Sequence, residues 1–170
     1  MLDLAGIVND SIVDGPGIRM TVFAQGCPHH CQGCHNPETW TFGCGTPMEE
    51  ERILEIVRTN PLCRGVTFSG GEPFAQAEGF ARLAKLLKEK GYEVASYSGY
   101  TFEELLHGSA EQQELLRSID VLIDGPFVLA EKSLEVTFRG SRNQRIIHVP
   151  KSLSAGEAIC ITKGRWVGEY

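Results

Sequence analysis

The sequence predicts an α/β protein whose mostly parallel sheet curves into an open, partial (β/α) barrel. Three observations carry that prediction. Short runs of strand formers alternate with runs whose apolar residues recur at helical spacing, and such alternation implies a parallel sheet covered by helices. The units number fewer than the eight that close a full barrel, which leaves a wide lateral mouth suited to a large substrate. The loops richest in glycine, cysteine and acidic residues all follow strands, at the edge where α/β sheets bind ligands.

The elements follow in order. RMTVFAQ (19–25) alternates apolar and polar residues and reads as a strand. The loop GCPHHCQGCHNPETW (26–40) comes next. Thr46, Pro47 and Glu49 read as a helix start, with Thr46 as the cap, Pro47 at the first helical position and Glu49 closing a capping box. Ile53, Leu54, Ile56 and Val57 give that helix an apolar face. GVTFSGG (65–71) reads as a buried strand running into a glycine turn. In EGFARLAKLLKEK (78–90), Phe80, Leu83, Ala84 and Leu87 recur at helical spacing, and Gly91 supplies the C-cap. EVASYSG (93–99) is the next strand. Thr101 to Glu104 form a second capping box, whose helix breaks at His107-Gly108 and resumes from Glu111 to Arg117. DVLIDGPF (120–127) is a strand and turn, and QRIIHVP (144–150) a last strand. The tail beyond Pro150 carries no clear pattern. No repeat or linker interrupts the chain, so residues 1–170 are expected to form one domain.

Composition narrows the function. The chain is 42% hydrophobic and 22% charged, enough for a real core without disulfides. A net charge of −6 and a pI near 5.4 argue against a general nucleic-acid binder, which needs a basic face. MLDLAGIVND lacks the basic start and long apolar run of a signal peptide, and no run approaches the roughly 18 apolar residues of a membrane span. A cytoplasmic protein without nucleic-acid or membrane partners is expected. In that compartment thiols stay reduced, so clustered cysteines point to metal binding or catalysis rather than disulfides.

Cys27, Cys31 and Cys34 lie within eight positions, spaced C-x3-C-x2-C. Thiolates suit zinc or an iron–sulfur cluster. A closed zinc site needs a fourth ligand, which Cys44 or one of the neighbouring histidines would have to supply. An iron–sulfur cube normally takes four cysteines, so three would leave one iron free to bind a small molecule. Spacing alone leaves both open.

The motifs resemble a known family. C-x3-C-x2-C after a first strand is similar to the signature of the radical S-adenosylmethionine (SAM) enzymes. DGPGIR (14–19), the cysteine loop and GVTFSGGEP (65–73) resemble the glycyl-radical-enzyme activases among them. LIDGPF (122–127) and RGSRNQRI (139–146) resemble the activases of anaerobic ribonucleotide reductase. The resemblance covers most of residues 7–149. It implies the radical SAM type of partial barrel, and a 4Fe–4S cluster on Cys27, Cys31 and Cys34 with one open iron. It implies that this iron takes the methionine amine and carboxylate of SAM, with Gly70, Gly71 and Glu72 along the methionine. Glu72 would accept hydrogen bonds from the amine. Gly33, Cys34 and His35 would pass near the adenine, and Ser98 near the ribose or carboxylate. One electron would cleave SAM to methionine and a 5′-deoxyadenosyl radical. That radical would take a hydrogen atom from a glycine near the C-terminus of the reductase. A flavodoxin-type protein is the electron donor the family implies. No side chain is implied as acid or base, because the cofactor carries the chemistry.

Blander readings apply to the other candidates. Cys63 and Cys160 are expected as small buried hydrophobes and Cys44 as a free loop thiol. His29 and His30 are expected at the loop surface. Asp14-Gly15-Pro16-Gly17 reads as a turn, and Gly70-Gly71 alone would read the same way. Asp124 would either orient substrate or shape a turn. Arg139, Arg142 and Arg145 would form a local basic patch or remain solvated. Two alternatives remain: an activase of another enzyme such as pyruvate formate-lyase, and a non-catalytic zinc or iron–sulfur module.

Overall fold

A computed structural model describes residues 1–169. Seven strands form one sheet: β1 (Leu2–Ser11), β2 (Arg19–Ala24), β3 (Thr46–Met48), β4 (Gly65–Gly70), β5 (Glu93–Tyr97), β6 (Val121–Asp124) and β7 (Arg145–His148). Five helices accompany them: α1 (Glu50–Arg58), α2 (Ala77–Glu89), α3 (Phe102–Leu106), α4 (Ala110–Ser118) and α5 (Val149–Ala155). The sheet order is β3-β1-β2-β4-β5-β6-β7. β2, β4, β5 and β6 run parallel. β1, β3 and β7 pair antiparallel with their neighbours. The expectation of a mostly parallel sheet therefore holds for the centre alone: three of the six pairings are parallel and three antiparallel. The sheet ends in β3 on one side and β7 on the other, so it is open.

Strand alternation builds the core. Met20, Val22 and Ala24 of β2 lie on the same face as Val66 and Phe68 of β4, Val94 of β5 and Leu122 of β6. Ile53, Val57, Phe80, Leu83, Leu87, Leu115 and Leu116 cover that face from the helices. Phe80 meets Phe68 at 4.8 Å between ring centroids, a tilted pair inside the buried core. Each such buried side chain is worth roughly 1.5–3 kcal/mol. The opposite face carries a smaller cluster of Ala95, Val121, Ile123, Ile146 and Trp166.

Several expected boundaries need correction. Thr46 is not a helix cap: Thr46–Met48 pairs with β1, and α1 begins at Glu50 after an N-cap Glu49 that makes no side-chain capping bond. The free edge of β1 wins over the cap, and Pro47 is tolerated because β3 is an edge strand. The last strand ends at His148, and Pro150 lies in the first turn of α5 instead of closing the strand. The unassigned tail bridges Cys160 to Ile147 and then buries Trp166 against the small cluster. Trp166 also stacks on the buried guanidinium of Arg19, 5.1 Å from its ring centroid. The Thr101–Glu104 capping box forms as expected.

The parallel strands point their carboxyl ends the same way. The cysteine loop leaves β2, Gly71-Glu72-Pro73 leaves β4, Ser98-Gly99 leaves β5 and Gly125-Pro126 leaves β6. Topology therefore gathers four sequence-distant loops along one edge.

Candidate functional site

The root of the cysteine loop is a closed neck. Gly26 N–H donates to the Thr39 carbonyl at 2.6 Å, and Cys27 N–H to that of Trp40 at 3.1 Å. The next strand end is laced onto this neck: Gly71 N–H donates to Ala24 O at 2.9 Å and Glu72 N–H to Gly26 O at 2.8 Å. Both glycines of the turn are required there. A Cβ on Gly71 would lie 2.2 Å from Gly26 O, and one on Gly70 would lie 2.5 Å from backbone atoms of Ala24, at a φ of +102°.

Within the loop, Cys27, Cys31 and Cys34 are all half-buried and unpaired. Cys34 N–H donates to Cys31 O at 3.1 Å, and Asn36 N–H donates to the Cys34 sulfur at 3.4 Å. Burial pushes the Cys27 thiol pKa up, the backbone N–H groups of His29 and His30 oppose this, and nearby Glu72 and Cys31 add to the rise. Thiols in such a loop become ligands once a cation takes the place of their protons. Among the described residues, the three sulfurs are not all within 4.8 Å of one another; Glu49, Glu50 and Glu51 are the only trio of His, Cys, Asp or Glu that is. Three half-buried thiols without disulfide partners in one loop are a donor set that suits an iron–sulfur cluster. In the acidic trio, Glu50 is taken up by Arg82 and by the Met1 ammonium.

Glu72 is the centre of the site. It is 1% exposed, and its carboxylate is fully engaged. Oε1 accepts from Phe74 N–H at 3.0 Å and from the Ser98 hydroxyl at 2.9 Å. Oε2 accepts from Gly99 N–H at 2.7 Å and meets Nε2 of His29 at 2.7 Å. A carboxylate offers about four lone-pair sites, and all four are used. The amine of SAM would reach Glu72 only by sharing or displacing one of these donors. Ser98 is engaged on both sides, since its Oγ also accepts from Tyr100 N–H at 3.0 Å. Three of the four strand-end loops thus meet at one carboxylate.

The fourth loop meets the other half of the cysteine loop. A Cβ on Gly33 would lie 2.8 Å from Leu129 and 3.3 Å from Phe127. The His35 ring lies 5.0 Å from that of Phe127. Gly33, Cys34 and His35 therefore border an apolar wall that the residues after β6 provide.

The remaining candidates sort by their contacts. His29 is turned inward to Glu72, contrary to the surface expectation. His30 stacks on Trp40 at 4.6 Å with the planes 8° apart. Cys44 is an exposed loop thiol and Cys63 is buried, as expected, whereas Cys160 is exposed because it edges the irregular tail. The Asp14 carboxylate accepts from the hydroxyls of Ser11 at the end of β1 and Thr21 in β2, tying the turn between them. Asp124 is 1% exposed and accepts from Phe102 N–H and from two nitrogens of Arg145, at 3.0 and 2.6 Å. Arg145 also grips Glu103, and these carboxylates, Asp124 first, raise its pKa further. The three arginines form no shared patch: Arg142 pairs with exposed Glu135, and Arg139 donates to Gln144 O. Arg145→Ala should strand the Asp124 carboxylate. Breaking such a pair costs ~3–5 kcal/mol, and the lower end is expected because the Arg145 side chain is 34% exposed. Denaturant unfolding reads this directly, and an unchanged midpoint would contradict it.

Sequence reasoning missed His29 and the Phe127–Leu129 wall. The only signal for His29 was its place inside the cysteine motif; nothing local names its partner.

A family model described as a 4Fe-4S single cluster domain matches residues 13–147, so this is an iron–sulfur domain. The anaerobic ribonucleoside-triphosphate reductase-activating protein of Vibrio cholerae is 37% identical over 145 residues, covering 81% of this chain and 91% of that one. The protein of the same name from Escherichia coli K12 is 35% identical over 147 residues, covering 81% and 93%. A pyruvate formate-lyase-activating enzyme of Clostridium pasteurianum is 38% identical over 138 residues, covering 77% of this chain but 55% of that one. Among the described residues, no helix is long and apolar enough to cross a membrane. The chain belongs to the 4Fe-4S single cluster domain family and, within it, to the anaerobic ribonucleoside-triphosphate reductase-activating proteins.

Proposed function

We propose that this chain is a radical SAM enzyme that activates anaerobic ribonucleoside-triphosphate reductase, generating a glycyl radical on it by reductive cleavage of SAM at a 4Fe–4S cluster. The observation that carries this reading is the convergence on Glu72. That carboxylate joins the cysteine loop to the turns after β4 and β5, the turns the family resemblance gives to SAM.

The residues take the following roles. Cys27, Cys31 and Cys34 would each hold one iron of the cluster, which would leave the fourth for SAM. Gly70 and Gly71 bring bare backbone along the methionine. Glu72 keeps that turn in shape through its four bonds, and the amine of SAM would share or displace one of these donors. Gly33, Cys34 and His35 border the adenine, and Phe127 with Leu129 supply the apolar surface an aromatic base requires. Ser98, fixed by Glu72 and Tyr100, faces the ribose or carboxylate. When reduced, the cluster supplies the electron that splits SAM into methionine and a 5′-deoxyadenosyl radical. The protein's own work is to orient SAM, keep water from the reacting carbon and admit the glycine loop through the open side of the sheet. The sheet is proposed to be the radical SAM partial barrel, and residues 1–170 one domain of it. The substrate is a glycine in the C-terminal region of the reductase, and a flavodoxin-type protein in the cytoplasm is the electron donor.

The pyruvate formate-lyase activase gives the competing reading, because its identity is as high. Coverage favours the reductase: the match spans 91% of the Vibrio cholerae relative and 55% of the lyase activase. Incubating the reconstituted protein with SAM, a reductant and each candidate partner separates the two. A glycyl-radical signal is expected on the reductase and none on the lyase; the reverse pattern would overturn the assignment.

A further inference from the structure

His29 is the unusual donor at the Glu72 carboxylate. Phe74 N–H lies two residues from Glu72, and Ser98 and Gly99 belong to the turn after β5. His29 reaches in from the cysteine loop, 43 residues away in sequence, and its Nε2 lies 2.7 Å from Oε2. In the tautomer with a hydrogen on Nε2, the ring donates and the carboxylate oxygen accepts. The ring is held on other sides too. Tyr100 meets it edge-on at 4.5 Å, and a Cβ on Gly99 would come within 2.4 Å of it. The side chain is 17% exposed. The next residue, His30, sits at a φ of +48°, a conformation costly for a non-glycine residue, with its ring stacked on Trp40. Two adjacent histidines thus grip different supports: His29 takes the Glu72 knot and His30 the loop's neck. The Cys34 end of the loop is braced separately, where Gly33 packs on Phe127 and Leu129.

We propose that His29 is a positioning residue for the radical reaction. Its bond to Glu72 fixes the Cys27–Cys31 half of the loop against the turns after β4 and β5, and so sets how the open iron meets SAM. This inference rests on the function proposed above. Positioning errors near 1 Å are enough to weaken a reaction centre strongly, and a short hydrogen bond between loops prevents such an error.

The test uses the full chain as His29→Ala and His29→Gln, reconstituted without oxygen beside the wild type. Iron content is measured first, then SAM is titrated while the electron paramagnetic resonance (EPR) spectrum of the reduced cluster is followed. His29→Ala is expected to hold wild-type iron, bind SAM about tenfold more weakly and show a smaller SAM-induced spectral change. His29→Gln, whose side-chain amide also donates, is expected to recover most of both. Wild-type SAM affinity and spectra in His29→Ala would overturn the proposal. So would equal defects in the two variants, which would trace the effect to ring packing on Tyr100. Loss of iron from either variant would make His29 part of cluster assembly and also overturn it. A wild-type cluster indifferent to SAM instead overturns the proposed function, and that result is read before any variant is examined.

Discussion

Cys31→Ala is expected to leave no measurable SAM cleavage, with Cys27→Ala and Cys34→Ala matching it. In the proposed site each of these thiolates holds one iron, and no side chain offers an alternative route, because the cofactor carries the whole reaction. Cys44→Ala, Cys63→Ala and Cys160→Ala should keep cleavage. Cys63 donates to Gly65 O at 3.2 Å inside the core, so its loss should lower stability without touching the site. Cys44 is the sharp control, since a closed metal site would use it as the fourth ligand and Cys44→Ala would then lose metal. The measurement is 5′-deoxyadenosine formed per iron-loaded protein under reducing, oxygen-free conditions. Normal cleavage by Cys31→Ala would contradict the cluster assignment.

Glu72→Ala should produce the second-largest effect, and a different one. It removes the acceptor of four donors at once, two of them backbone N–H groups at the meeting point of the loops. Each buried donor left without a partner costs ~1–3 kcal/mol, partly recovered where water enters, so a stability loss of roughly 2–4 kcal/mol is expected. SAM affinity should fall at least about tenfold, because the turns that face SAM are no longer fixed to each other. Iron content should fall less, since no ligand is removed. Glu72→Gln should be intermediate: it keeps one acceptor oxygen and turns an NH2 group toward donors. Unchanged SAM affinity in Glu72→Ala would remove Glu72 from the site.

Much of the sheet's centre was legible because it follows local rules. β2, β4, β5 and β6 alternate or run apolar between turn residues, and the Thr101–Glu104 box announces α3. Ser109 and Gln112 form an equally regular box for α4 that is plain in the sequence once sought. What escaped depends on pairing across the chain. β1 is largely exposed beyond Leu4, so LDLAGIVNDS lacks the alternation of a half-buried strand. The strand Thr46–Met48 exists only because β1 offers an edge. Arg145 read as a member of a basic patch, yet antiparallel register sets it opposite Asp124, and register cannot be seen in either segment alone.

The site divides the same way. C-x3-C-x2-C and Gly-Gly-Glu are visible as motifs, because tight spacing and bare backbone leave local marks. Their joining through His29 and Glu72 is invisible, since it depends on the path the loop takes from β2 to the strand ends. The engagement of all four Glu72 acceptor sites was equally hidden: an acidic residue in a motif suggests a free ligand, and burial converts it into a junction.

The central claim is that three cysteines leave one iron open to SAM. The most direct test is the EPR spectrum of the reconstituted, reduced protein with and without SAM, recorded in the absence of oxygen. A 4Fe–4S signal that shifts when SAM is added is the predicted result. A protein that takes up zinc and stays silent, or a cluster whose spectrum ignores SAM, would contradict it and make Cys44 the first candidate for a fourth ligand.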